Sequence, residues 1–155
     1  MFWLENTYYD LRSWWGEHQQ SRQERNLVRW IEALLSGDYK QGRCQLKDGD
    51  CYCPLGVAAK ALGVPNIGPW FFFGIGAGYV STQYPPKRWF RKTFGGRVQR
   101  IVVVHRNDQH GDTFVQTAGY LTHFLPDSMK KAELQQLIVN KLKAERAAKW
   151  GVKAQ

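Results

Sequence analysis

No stretch of the sequence approaches the roughly 18–20 uncharged apolar residues that a membrane-spanning helix needs, so a helical membrane protein is excluded. Acidic residues are scarce: 13 Asp and Glu stand against 22 Lys and Arg, a formal net charge of +9 at pH 7. Cysteine is scarcer still, with Cys44, Cys51 and Cys53 clustered in one segment. An odd count with no signal-peptide core after Met1 argues against a disulfide framework and leads us to expect a reducing cytoplasm. Internal repeats and low-complexity tracts are missing, and 7 Trp, 7 Tyr and 8 Phe are incompatible with a collagen, a coiled-coil rod or wholesale disorder. What is present is 155 residues, enough for a single domain (1–155) whose core needs no metal or disulfide staple.

The charge is unevenly placed. Residues 1–86 carry 8 basic and 8 acidic side chains, whereas residues 87–155 carry 14 basic and 5 acidic. The whole excess therefore lies in the second part, where its field steers acidic partners.

Apolar spacing divides the chain into elements. Leu4, Tyr8, Leu11 and Trp15 recur at helical spacing, and Gly16 with the polar stretch 17–25 is expected to interrupt that helix. Leu27, Trp30, Ile31, Leu34 and Leu35 then predict an amphipathic helix stopped by Gly37. Residues 42–53 alternate around Lys47-Asp48-Gly49-Asp50, which predicts a hairpin. Pro54 suits the first turn of a short helix over 55–62. Residues 63–86 are irregular, rich in Gly and Pro, and their run Trp70-Phe71-Phe72-Phe73 reads as an ordered loop packed on the core. The β-branched run Ile101–Val104 predicts a buried strand, with a short helix as the alternative. Asp112 or Thr113 caps a helix that shares Phe114, Ala118, Leu121 and Leu125 on one face, and Thr113 with Gln116 has capping-box spacing. Ser128 or Asp127 caps a last helix built on Leu134, Leu137, Ile138 and Leu142. The fold class expected is α+β, mostly helical, with a small β-hairpin or short sheet.

One segment has a recognisable pattern: Trp30-x-x-Ala33-Leu34-x-Ser36-Gly37-x-Tyr39-x-Gln41, then Leu46-x-x-Gly49-Asp50, then Tyr52-Cys53-x-Leu55-Gly56-Val57. It resembles a family of small uncharacterised phage and prophage proteins. Asn107-Asp108, Gly111, Phe114 and Ala118 are similar to that family's closing element, more loosely. The resemblance implies a phage-type accessory role in a host cytoplasm and carries no assigned activity. Physically the matched residues read as apolar anchors, turns and close-packing glycines, with Cys53 a small buried hydrophobe.

Three kinds of chemistry are candidates. Cys53 precedes a helix N-terminus that can lower a thiol pKa, with His105 and Asp108, or His110 and Asp112, as base and orienting group of a small hydrolase. Cys44, Cys51 and Cys53 with His105, His110 or His123 make up a zinc donor set, although Cys-x-Cys is not the usual spacing. Gly74, Gly76 and Gly78 resemble a phosphate loop but lack its closing Lys-Ser/Thr. The strongest signal is the basic segment 87–100, where Lys87, Arg88, Arg91, Lys92, Arg97 and Arg100 interleave with Trp89, Phe90 and Phe94. Cations neutralise phosphates and exposed rings stack on bases, while Arg and Trp also anchor protein interfaces. The expectation is a non-catalytic protein without cofactor or metal that binds an acidic surface of a host macromolecule, an acidic host protein first, and inhibits host machinery or defence. Direct nucleic-acid binding through the same residues is the alternative, a small Cys hydrolase or nucleotide-sequestering protein is a further one, and Lys141, Lys143 and Lys149 offer a second patch.

Overall fold

The computed structural model describes residues 2–64 and 84–151, with side chains described from residue 18 onward. The aromatic run 70–73 and the glycines Gly74, Gly76 and Gly78 lie outside the described residues. The architecture is mostly helical α+β, as the sequence predicts. Its elements are α1 (Phe2–Ser36), β1 (Lys40–Gln41), β2 (Lys47–Asp48), β3 (Cys51–Tyr52) and α2 (Pro54–Ala61), followed by α3 (Lys87–Phe94) and α4 (Arg100–His105). A π-helical turn (Arg106–His110) follows α4, and α5 (Phe114–Thr122) and α6 (Met129–Trp150) complete the described chain. Among the described residues no helix is long and apolar enough to cross a membrane.

Helix α1 is the axis of the molecule, with α2, α3 and α5 packed against it. Its length corrects the sequence reading: the helix runs through Gly16 and the polar stretch to Ser36 without a break. One glycine costs about 1 kcal/mol in a helix, and the Gln, Glu and Arg that follow it are good helix formers. The Gln20 side chain also donates to Glu24 one turn later at 3.2 Å. The buried face is made by Leu27, Trp30, Ile31, Leu34 and Leu35, all at most 4% exposed. Trp30 is fully buried, its Nε1 donates to the Pro54 carbonyl at 2.8 Å, and its ring meets Phe94 at 4.8 Å and Phe90 at 6.0 Å.

The sheet has strand order β1-β3-β2. β2 and β3 form the expected hairpin, Lys47 opposite Tyr52 and Asp48 opposite Cys51, joined by Gly49-Asp50. Gly49 takes φ +56°, the positive value that the first position of a two-residue turn demands. β1 adds in parallel, Lys40 beside Cys51 and Gln41 beside Tyr52. Pro54 sits at the first turn of α2, as its missing N–H allows. The first turn of α2 lies so close to the hairpin that a Cβ on Gly56 would fall 1.7 Å from the Leu46 carbonyl oxygen.

The run Ile101–Val104 is helical, not a strand. β-branching costs a helix only a few tenths of a kcal/mol per residue, and the helix buries Val103 and Val104 where α4 packs on α2. Ile101 is left 64% exposed. The capping box at Thr113 is present in both directions, and Phe114, Ala118, Leu121 and Leu125 are all buried. Ser128 caps α6 by accepting from the Lys131 N–H. α6 buries Leu134 and Ile138, half-buries Leu142 and leaves Leu137 exposed, so its packed stripe is narrower than the sequence suggests.

Two glycine substitutions separate steric from conformational need. Gly56→Ala is expected to lower stability by about 3 kcal/mol, because the atom it meets is backbone. Gly49→Ala is expected to cost roughly 1 kcal/mol, the price of a left-handed backbone alone. Urea unfolding of the two variants beside wild type checks both the magnitudes and their order.

Candidate functional site

Segment 87–100 is not one surface. Residues 87–94 form α3, whose Phe90 and Phe94 point into the core against Trp30 at 3% and 5% exposure. Their assignment as partner-contacting rings is therefore corrected: they are four residues apart, on the face that α1 covers. Trp89 is half-buried, with its ring edge-on to Phe94 at 6.1 Å. Arg100 is held in place, donating to the Pro85 carbonyl and lying over the Tyr84 ring at 5.4 Å. Arg97 is exposed on the connection to α4.

The helical period sorts the remaining cations onto two sides of α3. Lys87 and Arg91 line a cavity with Gly95, Gly96 and Gln99. Lys92 lines a second cavity, shared with α1, and exposed Arg88 stands one turn before it. There α1 contributes Arg22, Arg25 and Arg29, all exposed and at helical spacing i, i+3 and i+7. The result is a cleft of about 480 Å³ between α1 and α3, with Asn26, Leu62, Trp89 and Thr93 completing its lining. Among the described residues, four cations and no carboxylate line it.

The cleft is held open by neutral contacts. Asn26 Nδ2 donates to the Thr93 carbonyl at 3.0 Å and Gln23 Nε2 to the Lys92 carbonyl at 3.4 Å. These are last-turn carbonyls of α3, which have no partner inside their own helix. Below them, Thr93 Oγ1 donates to the Trp89 carbonyl at 2.7 Å. Spacing alone held the signal for the three arginines, since His18, Arg22, Arg25 and Arg29 share one helical stripe. Breaking the helix at Gly16 hid it.

The residues that carry the sequence pattern meet elsewhere, in a polar clamp. Gln41 accepts from the Phe114 N–H at 3.2 Å and donates to the Asp112 carbonyl at 2.6 Å and to Asn107 Oδ1 at 2.8 Å. Asn107, fully buried, donates to the Gly42 carbonyl at 3.0 Å and to Asp108 at 2.6 Å. Asp108 also accepts from the Cys44 N–H at 3.1 Å, where Cys44 adopts φ +65°. The two matched segments thus tie β1 to the π-helical turn and to the start of α5.

The cysteine chemistry fares differently from the basic chemistry. Burial pushes the Cys53 thiol up to about 11; the Gly56 and Leu55 N–H groups pull the other way and the Asp108 charge adds to the rise. The helix N-terminus expected to activate this thiol does act on it, but desolvation is the larger effect. Asp112 pairs with Arg106 at 2.7 Å, and the His105 and His110 rings lie 4.9 Å apart. Cys44 is exposed, Cys51 half-buried and Cys53 buried, and among the described residues no group of three or more His, Cys, Asp and Glu is placed to hold a metal ion. On α6, Lys141 and Lys143 stand about 200° apart around the axis, so with Lys149 they make no single patch.

Two outcomes follow from the clamp and the thiol. Asn107→Ala is expected to cost about 3 kcal/mol, because it strands the Gln41 amide and the Gly42 carbonyl; thermal or urea unfolding measures this. In a timed iodoacetamide reaction at pH 8, Cys44 is expected to alkylate first and Cys53 last, since only about one Cys53 in a thousand is thiolate there.

A family model described as a domain of unknown function (DUF8296) matches residues 12–63, about a third of the chain. The match runs from α1 through the sheet and α2, and so includes Arg22, Arg25 and Arg29 but not α3. No curated protein and no solved structure matches the chain.

Proposed function

We propose that this chain is a non-catalytic, phage-type accessory protein that binds an anionic surface of a host macromolecule through the cleft between α1 and α3. Host cytoplasm is its place of action and inhibition of host machinery its consequence. The observation that carries the reading is the cleft lining itself: Arg22, Arg25, Arg29 and Lys92, from two helices, with no carboxylate among the described lining residues. Like charges gathered around one concavity raise the local potential and draw in anions. Among the described residues, Asn26, Gln23 and the Trp30 cluster join the two helices, which supports a binding role for Arg22, Arg25 and Arg29.

Heparin, as a generic polyanion, tests this. Replacing Arg22, Arg25 and Arg29 together by Glu is expected to weaken binding roughly 30-fold at moderate salt, three exposed ion pairs being worth up to about 1 kcal/mol each. Circular dichroism and the unfolding midpoint should stay near wild type. Lys87→Glu with Arg91→Glu, on the other side of α3, should weaken binding far less. Equal losses in the two variants would refute the cleft as the site.

A further inference from the structure

We infer that the anion this cleft takes is an acidic segment of a protein, one that carries apolar side chains beside its carboxylates and lies across α1 instead of in the cleft alone. The inference rests on the cleft being an anion site and adds the class of partner. Three observations point to it.

The first is that the arginines are shared. Arg25 and Arg29 line the cleft and also a second hollow, of about 460 Å³, between α1 and the connection from α5 to α6. Among the described residues no ion pair engages either arginine. A ligand bound to both guanidinium groups therefore meets both hollows. The second observation is what the other hollow is made of. It adds Val28, Leu125 and Pro126 to the two arginines, Val28 half-buried and Pro126 exposed. Apolar surface next to arginine is the composition of a protein-binding face, where aliphatic side chains cover the one and carboxylates pair with the other. The third is a pair of carboxylates bordering the arginine stripe. Glu24 lines the second hollow beside Arg25, and exposed Glu32 stands three residues after Arg29, paired with Lys130 at 2.6 Å.

A nucleic acid uses less of this surface. It carries a negative charge on every unit, so along α1 it meets Glu24 and Glu32 as well as the arginines, and like charges brought together oppose binding. Its backbone makes contact through charge and hydrogen bonds, which leaves Val28 and Pro126 uncovered. A protein segment carries its carboxylates only at some positions. It can set them on Arg22, Arg25 and Arg29, place neutral residues by the two glutamates and lay apolar side chains in the second hollow.

The test is fluorescence anisotropy of the full chain with four labelled probes of about equal negative charge: a peptide of Glu and Leu, a peptide of Glu and Ser, oligothymidylate and a DNA duplex. The Glu–Leu peptide is expected to bind roughly tenfold tighter than each of the other three at moderate salt. Arg25→Gln with Arg29→Gln should weaken both peptides and heparin alike. Val28→Thr with Pro126→Ser should weaken the Glu–Leu peptide roughly fivefold and leave the Glu–Ser peptide and heparin unchanged. Pro126→Ser alone, at an exposed position outside the helices, should show part of that loss in a protein with wild-type circular dichroism. Oligothymidylate or duplex binding as tight as the Glu–Leu peptide would overturn the inference and leave a nucleic acid as the partner. Equal binding of the two peptides would overturn it too, as would equal losses for both in the folded Val28 and Pro126 variants. Heparin binding without peptide binding would sink the inference and leave the anion site standing, whereas failure of heparin and all four probes would remove the anion site itself.

Discussion

The indole of Trp30 is the point on which the architecture turns. It is fully buried in the last third of α1, with its one polar atom satisfied by the Pro54 carbonyl and its ring face taken by Phe90 and Phe94. A buried indole N–H must find an acceptor, and a carbonyl in the first turn of α2 supplies it. That bond sets α2, and with it the hairpin, against α1. The aromatic contacts set the rotation of α3 in the same way. Once Phe90 and Phe94 face Trp30, the helical period leaves Arg88 and Lys92 on one flank and Lys87 and Arg91 on the other. The distribution of positive charge is thus a consequence of core packing around one ring.

A second centre, the Gln41–Asn107 clamp, does for the other end of the molecule what Trp30 does here. Two side-chain amides reach five backbone or side-chain groups among β1, the π-helical turn and the N-terminus of α5. π-helical turns leave backbone groups irregularly placed, and a buried amide can satisfy both a donor and an acceptor at once. The residues with the most recognisable spacing in the sequence are therefore those that close the fold. The cleft lies apart from them, on α1 and α3. Its arginines fall within the segment that the family model matches, and its Trp89 and Lys92 do not.

What could be read in the sequence was what local chemistry decides. Pro54 at a first turn, the reciprocal Thr113–Gln116 cap and the hairpin around Gly49 are each specified within a few residues, and each stands where its pattern placed it. The misread elements are those decided by contacts distant in sequence. Ile101–Val104 has the composition of a strand, yet its burial against α2 is satisfied equally well by a helix. Gly16 carries a helix-breaking signal that the surrounding Gln, Glu and Arg outweigh. The candidate site was half legible. Lys92 and Trp89 belonged to an evident basic and aromatic run, whereas Phe90 and Phe94 looked the same in sequence and proved to be core. Arg22, Arg25 and Arg29 join them only because α1 and α3 lie side by side, about 65 residues apart along the chain.

The neutrality of the contacts joining α1 to α3 has a consequence for how the molecule behaves as ions accumulate around it. Gln23 and Asn26 close the end of α3 with amides, and the ion pairs of the described chain sit elsewhere, at Arg106–Asp112 and around Lys130 and Lys131. Dissolved ions weaken charge–charge attraction but leave amide–carbonyl bonds and buried rings almost untouched. The two walls of the cleft therefore keep their separation as ionic strength changes, so an anion of the proposed kind would enter and leave without any rearrangement of these contacts.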